Sequence, residues 1–331
     1  MYTIGESKML PRIVFFGSSD FSAAVLADLY QKGFPIPLVV TQPDKPFGRK
    51  RVLHPPPVKI EAQKLGIEII QPTSLRKKGV LSIFQDLEFD FGVVCAYGKI
   101  LPKKLLDTAQ VNFLNTHASN LPRFRGAAPM ERAIMEGDTA TAMCIMEVSE
   151  GLDEGDVFHR EFIEISADMK IDQLQELMLN SARNLLPEVL SGYPRFLKEK
   201  TPQADEGIFY ASKIREEDSW MDLNWPGKKI YNHLRALGST YGISFRTREG
   251  KKIAVFQGDF EVRDHDLNAG EVFQRTKRSL SIALLDGILT IREIQMEGKK
   301  KLPIQAFLAG YQVKEGACFL HSAKLGEDHG Q

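Results

Sequence analysis

The chain has 331 residues, 43% of them hydrophobic and 26% charged, with 43 basic side chains balanced by 43 acidic ones. That composition excludes wholesale disorder, and no apolar run reaches the ~20 residues needed to cross a bilayer, which argues against a membrane span. Three cysteines, Cys95, Cys144 and Cys318, are too scattered for a disulfide framework or a zinc site, and the length favours two domains over one.

Residues 1–11 lack the charged and apolar halves of a secretion signal, so a disordered lead to a cytoplasmic protein is expected. RIVFFG at 12–17 is a short apolar run ending in glycine, and Phe21–Tyr30 follows at helical period. PIPLVVT at 35–41 predicts a strand, VKIEAQKLG at 58–66 a helix, and IEIIQP at 67–72, FDFGVVCAYG at 89–98 and VNFLNTH at 111–117 further strands. AMCIMEV at 142–148 and VFHREFIEI at 157–165 continue the pattern before a long helix over 170–191. Strands alternating with helices predict an α/β domain with a doubly wound, parallel-rich sheet. Ligands bind such sheets beyond the carboxyl ends of the strands, which points to GSSDF, TQPD, AYGKILP and NTHASNLP.

Residues 192–207, rich in Gly and Pro and without periodicity, form the best linker candidate. Beyond them come short alternating runs at 242–247, 252–258, 269–275, 279–287 and 288–296, the pattern of a small β-barrel or sandwich over 208–319, with a tail at 320–331. Although the net charge is zero, basic residues concentrate in this last third and in one early loop. That loop, 42–57, is long for a strand-to-helix connection and carries Lys45, Arg49, Lys50 and Arg51 against Asp44 alone, so it is expected to be functional.

The densest cluster of chemical groups is NTHASNLPRFRGAAP at 115–129. Asn115 and His117 are two apart and share a strand face, where both can donate to one oxygen that becomes an oxyanion. Downstream, GLDEGD at 151–156 puts Asp153 in a glycine-rich turn, without the alternating acids of a calcium loop. No GxGxxG, Walker A, GxSxG or HExxH sequence is present, and no metal site is predicted. Taken alone the Asn-x-His pair is equally what a satisfied strand end looks like.

The order Asn, His, Asp, with Asp153 lying 36 positions after His117, resembles the signature of the folate-dependent formyltransferase superfamily. TQPDKPFGRK, PPPVK, AYGKILP, RGAAP and IREEDSWMDLNW are similar to the branch that formylates initiator methionyl-tRNA. The resemblance runs from about Arg12 to Phe319. It implies a Rossmann-like formyltransferase domain over 12–191 joined through the linker to an OB-like β-barrel that binds tRNA. It implies 10-formyltetrahydrofolate as co-substrate, no metal, Asn115, His117 and Asp153 as the catalytic trio, and Ser119, Asn120, Leu121 and Pro122 in the folate site. Lys45, Arg49, Lys50 and Arg51 become a tRNA-binding loop. GSSDF and LGSTYGISF at 237–245 depart from the branch's commoner residues. An amino-sugar or nucleotide-precursor acceptor is the alternative, which leaves the basic loop without a purpose; a non-catalytic RNA-binding module would leave the trio without one.

Overall fold

The computed structural model describes residues 9–47, 52–248, 250–311, 313, 319 and 320. The chain divides into two compact units. Met1–Pro129, Ala140–Ile163 and Glu176–Ala211 form the first, and Met130–Thr139, Glu164–Gln175 and Ser212–Gln331 the second.

The first unit begins with β1 (Ile13–Gly17), whose five residues are all buried, as expected of a strand covered on both faces. Ser19 caps α1 (Asp20–Gln31) by accepting from the Ser22 backbone N–H at 3.2 Å. β2 (Leu38–Val40) follows, then a hairpin of β3 (Lys45–Phe47) and β4 (Val52–His54), then α2 (Pro57–Lys64), which starts on a proline where no backbone N–H is needed. The chain continues through β5 (Glu68–Ile70), α3 (Lys78–Gln85), β6 (Phe91–Cys95), α4 (Lys103–Leu106), β7 (Asn112–His117) and β8 (Arg123–Gly126). α5 (Pro129–Glu136), which from Met130 on belongs to the second unit, leads into β9 (Ala140–Glu147), β10 (Val157–Glu164), α6 (Ile171–Ser191), whose residues up to Gln175 also belong to the second unit, α7 (Tyr193–Glu199) and β11 (Phe209–Ala211).

Seven strands form one sheet in the order β10-β9-β7-β6-β1-β2-β5. β5, β2, β1, β6 and β7 run parallel, while β9 pairs antiparallel with β7. The chain therefore leaves β1 toward one edge and returns beside it as β6, a reversal that opens a crevice at the carboxyl ends of β1 and β6. Gly17 and Cys95 are register partners there, and the Ser22 hydroxyl ties α1 to β6 by donating to the Cys95 carbonyl at 2.6 Å. Burial pushes the Cys95 thiol up to about 11, so it packs as a neutral side chain. One face of the sheet carries an apolar core of Val14, Phe16, Leu38, Val94 and Phe113 with Phe84 and Phe89.

The predicted strands are present with altered bounds: β2, β5, β6 and the later strand Val272–Arg275 are shorter because turn residues at their ends leave the ladder, while β9 starts two residues earlier and the strand from Lys252 runs on to Val262. Two segments differ more. The loop over 42–57 contains the β3–β4 hairpin, and the run 192–207 contains α7. Gly192 precedes that helix, Pro194 sits in its first turn, and Tyr193 and Phe196 are buried, so its two-residue apolar signal was hidden among turn formers. β11, beyond the expected linker, pairs parallel with β8 and thus belongs to the first unit.

In the second unit α8 (Gly227–Leu237) packs on an antiparallel sheet of β12 (Ile243–Arg246), β13 (Lys252–Val262), β16 (Gly287–Met296), β15 (Leu280–Leu284) and β14 (Val272–Arg275), in that spatial order. β17 (Leu302–Pro303) pairs with β16, and α9 (Ile304–Gly310) lies against both. Alternate residues of these strands, with Ile230 and Leu234 of α8, make one core. Among the described residues no helix is long and apolar enough to cross a membrane.

Candidate active site

β7 is buried on both faces except at Asn112 and Asn115, which are half-exposed. Period-two alternation places Asn115 and His117 on one face, and the antiparallel neighbour β9 sends the chain back through the turn that carries Asp153. The three side chains meet. The Asn115 amide donates to Asp153 Oδ1 at 3.3 Å, and His117 Nδ1 faces Asp153 Oδ2 at 3.6 Å. The Gly126 backbone N–H donates to the same Oδ2 at 2.9 Å.

His117 is 5% exposed, and its Nε2 lies 2.9 Å from the Phe124 carbonyl. A carbonyl only accepts, so Nε2 carries the hydrogen and Nδ1 is left to face the carboxylate. In the neutral ring two acceptors confront each other across 3.6 Å. A proton arriving at Nδ1 turns that contact into an attractive ion pair. The arrangement can therefore hold one proton between the ring and the carboxylate.

The SNLP segment serves the histidine. The Ser119 hydroxyl donates to the Arg123 carbonyl at 2.7 Å and to the Phe124 carbonyl at 3.3 Å, so Phe124 O receives both Ser119 and His117. Phe124 has a left-handed backbone, φ +62°, rarely adopted by a large side chain. Ser119 and Leu121 are buried, the Asn120 side-chain carbonyl and the Leu121 carbonyl accept from Arg160 at 2.9 and 3.2 Å, and the Leu121–Pro122 peptide is cis. Of the four expected folate residues, Ser119 and Leu121 therefore point into the protein and shape the turn.

Lys45, on β3, is exposed and donates to Gln42 Oε1 at 2.7 Å; Gln42 in turn donates to the Tyr97 carbonyl at 2.6 Å. Asp44 is held below the usual carboxylate range by donors from Gln71 and Lys59. Lys45 is so tied to the crevice at the ends of β2 and β6. Arg49, Lys50 and Arg51 lie outside the described residues. Among the described residues no three His, Cys, Asp or Glu side chains cluster to hold a metal ion.

Sequence reasoning missed Gly126 as a donor, Arg160 as the brace of the SNLP turn, and Gln203. The Gln203 amide donates to the carbonyls of Asp153 and Gly155, both at 2.8 Å, and its oxygen accepts from Arg125 Nε at 2.9 Å. A polar residue in an unpatterned stretch carries no signal by itself.

Two family descriptions match the chain: Formyl transferase over residues 11–190 and Formyl transferase, C-terminal domain, over 213–312. A methionyl-tRNA formyltransferase of Geobacillus sp. strain WCH70 is 36% identical over 322 residues, covering 96% of this chain and 99% of the relative. Its counterpart from Macrococcus caseolyticus is 35% identical, covering 91% and 96%. Among solved structures, HypX from Aquifex aeolicus in complex with tetrahydrofolic acid superposes with a TM-score of 0.62 at 16% identity, over 91% of this chain and 47% of its own. An N-formyltransferase from Helicobacter canadensis, solved with folinic acid and dTDP-3-aminofucose, gives 0.63 at 14% identity, over 86% and 98%. At such identities these two structures attest the fold alone.

Proposed function

The chain belongs to the formyl transferase family in both of its halves, and from that membership we propose that it transfers the formyl group of 10-formyltetrahydrofolate to the amino group of methionyl-tRNA. The observation that carries this acceptor is 35–36% identity to methionyl-tRNA formyltransferases over nine-tenths or more of both chains, against 14% to the amino-sugar enzyme. The initiator form of the tRNA and a cytoplasmic site of action belong to the same proposal.

The trio suits the chemistry. The free amine attacks the formyl carbon, a new C–N bond forms, the carbonyl oxygen becomes an oxyanion, and the bond to folate N10 then breaks. Asn115 Nδ2 is a donor near the oxyanion, and a protonated His117 adds positive charge. The attacking amine gives its proton to the His117–Asp153 pair, which returns it to N10 as the leaving nitrogen. The Asp153 carboxylate, held by its two donors Asn115 and Gly126, faces the imidazolium across the 3.6 Å contact. The co-substrate fits the crevice at the carboxyl ends of β1 and β6, with the 119–122 turn as part of its wall. The second unit and the 45–51 loop provide the tRNA-binding surfaces in this reading.

Incubation with 10-formyltetrahydrofolate and charged initiator methionyl-tRNA, elongator methionyl-tRNA or a dTDP-amino sugar tests the reading. Acid-stable formylmethionine should form on the initiator tRNA far faster than on the other two acceptors. Formylation of the sugar with none on either tRNA would move the chain to the sugar branch.

A further inference from the structure

We propose that Gln203 is a positioning residue of the formyl transfer, which holds the Asp153 turn in its working conformation from the chain segment that follows α7. The proposal rests on the reading of Asp153 as catalytic. Asp153 has a left-handed backbone, φ +52°, which side-chain-bearing residues adopt only where the surroundings impose it. Its carboxylate is fixed by Asn115 and by the Gly126 N–H, which constrain the side chain but not the peptide.

The peptide is fixed by Gln203. One amide NH2 donates both of its hydrogens, to the carbonyls of Asp153 and Gly155, each at 2.8 Å. The orientation of that amide is unambiguous, since its other end meets a pure donor, Arg125 Nε, at 2.9 Å. Arg125 is only 7% exposed and sits on β8 beside Gly126. β8 therefore grips the turn twice, directly through Gly126 and indirectly through Arg125 and Gln203. Gly155 lies so close to the Glu147 carbonyl that a Cβ would overlap it, so the turn cannot swing toward β9. Its base is closed by the Glu147 N–H donating to the Asp156 carbonyl at 2.8 Å and by Lys200, which pairs with Glu147 at 2.8 Å and Asp156 at 2.9 Å. Lys200 and Gln203 both come from the stretch expected to be a passive connector.

The test uses the full chain with Gln203→Ala, Gln203→Glu and Asp153→Asn, assayed with 10-formyltetrahydrofolate and methionyl-tRNA. Gln203→Glu keeps the acceptor for Arg125 and the size but cannot donate to either carbonyl. Both Gln203 variants should lower kcat by ~10- to 100-fold, the usual consequence of misplacing a reacting group by about 1 Å, with KM for both substrates within about twofold. In an Asp153→Asn background the added loss should fall below about threefold, because the clamp acts through that carboxylate. Amide hydrogen exchange over 151–156 should quicken in both variants, whatever the activity. Unchanged kcat in either folded variant, losses that multiply with Asp153→Asn, or unchanged exchange over 151–156 would overturn the proposal. If Gln203→Ala does not fold, the near-isosteric Gln203→Glu decides alone. Full activity in Asp153→Asn would instead overturn the catalytic reading, and the exchange measurement would still judge the clamp.

Discussion

Residue by residue, the site is economical in charge. One carboxylate and one imidazole are held by backbone groups, Gly126 N–H on Asp153 and the Phe124 carbonyl on His117, and one amide, Asn115, donates to the carboxylate. Asp153→Asn and His117→Ala should each lower kcat by at least ~10²-fold, the usual magnitude for proton management and oxyanion stabilisation, while folate affinity stays within a few-fold. Steady-state kinetics alongside equilibrium dialysis of folate checks this. Gly126 is the less obvious member. With φ +121° and a Cβ position that meets the Ala211 carbonyl, it has no room for a side chain. Gly126→Ala should cost about 1–3 kcal/mol of stability and shift the N–H away from Asp153, lowering kcat more than it raises KM. Thermal unfolding and kinetics on the same preparation read both effects, and a variant stable and fully active would show that the β8–β11 approach is loose. Asn115, His117 and Asp153, which the structure brings together, stood out in the sequence because their polar side chains match a known spacing. Gly126 and Gln203 did not, since one acts through a backbone N–H and the other through hydrogen bonds to residues 48 and 50 positions away.

Among the secondary-structure elements, two segments without periodicity turn out to be structured. The loop after β2 folds back as the β3–β4 hairpin and is anchored by the Lys59–Asp44 pair at 2.8 Å and by Gln71 on Asp44 at 2.7 Å. Lys45 is engaged with Gln42, so the cations to test on tRNA are Arg49, Lys50 and Arg51. Their joint replacement by Ala should weaken use of methionyl-tRNA at moderate salt and reduce the slope of log(kcat/KM) against log[salt] by roughly 0.7–0.9 for each phosphate no longer neutralised. Folate affinity should stay unchanged. An unaltered slope in the triple variant would remove the loop from the tRNA interface. The second segment, 201–211, supplies Gln203 and the strand that pairs with β8. A chain cut near Lys200, where the pattern of turn residues suggests a boundary, would lose part of the first unit.

For the molecule as a whole, the second unit carries a pH sensitivity of its own. His233 on α8 is buried beside Trp225, donates from Nδ1 to the Lys229 carbonyl at 2.9 Å, and is held below the ordinary histidine range chiefly by desolvation. The hydrogen bond to the Lys229 carbonyl and the charge of Glu136 oppose this, while the charges of Lys229 and Arg132 add to it. Because the folded-state value is depressed, the unfolded chain binds more protons as pH falls below about 6.5, and stability drops by at most about 1.4 kcal/mol per pH unit until the folded value is reached. Both tryptophans, Trp220 and Trp225, lie in this unit, so their fluorescence follows its unfolding selectively. His233→Gln should flatten the decline of Tm between pH 7 and about 5, whatever it costs at neutral pH. An acid decline as steep as in the parent would place the sensitive group elsewhere.

The order of amino acids was enough to read the alternation of strands and helices, the direction of the sheet, the change to short strands near residue 240, and the spacing of the trio. All of these are local patterns, written in periodicities of two and 3.6 residues and in side chains that carry their own chemistry. Three-dimensional packing was needed to learn that 201–211 belongs to the first unit, that 130–139 and 164–175 pack with the C-terminal half, and that Ser119 and Leu121 face inward. Those outcomes depend on pairings between residues dozens of positions apart, such as Phe209 with Arg123 and Gln203 with Asp153, and a pairing leaves no mark on either partner's neighbours in the chain.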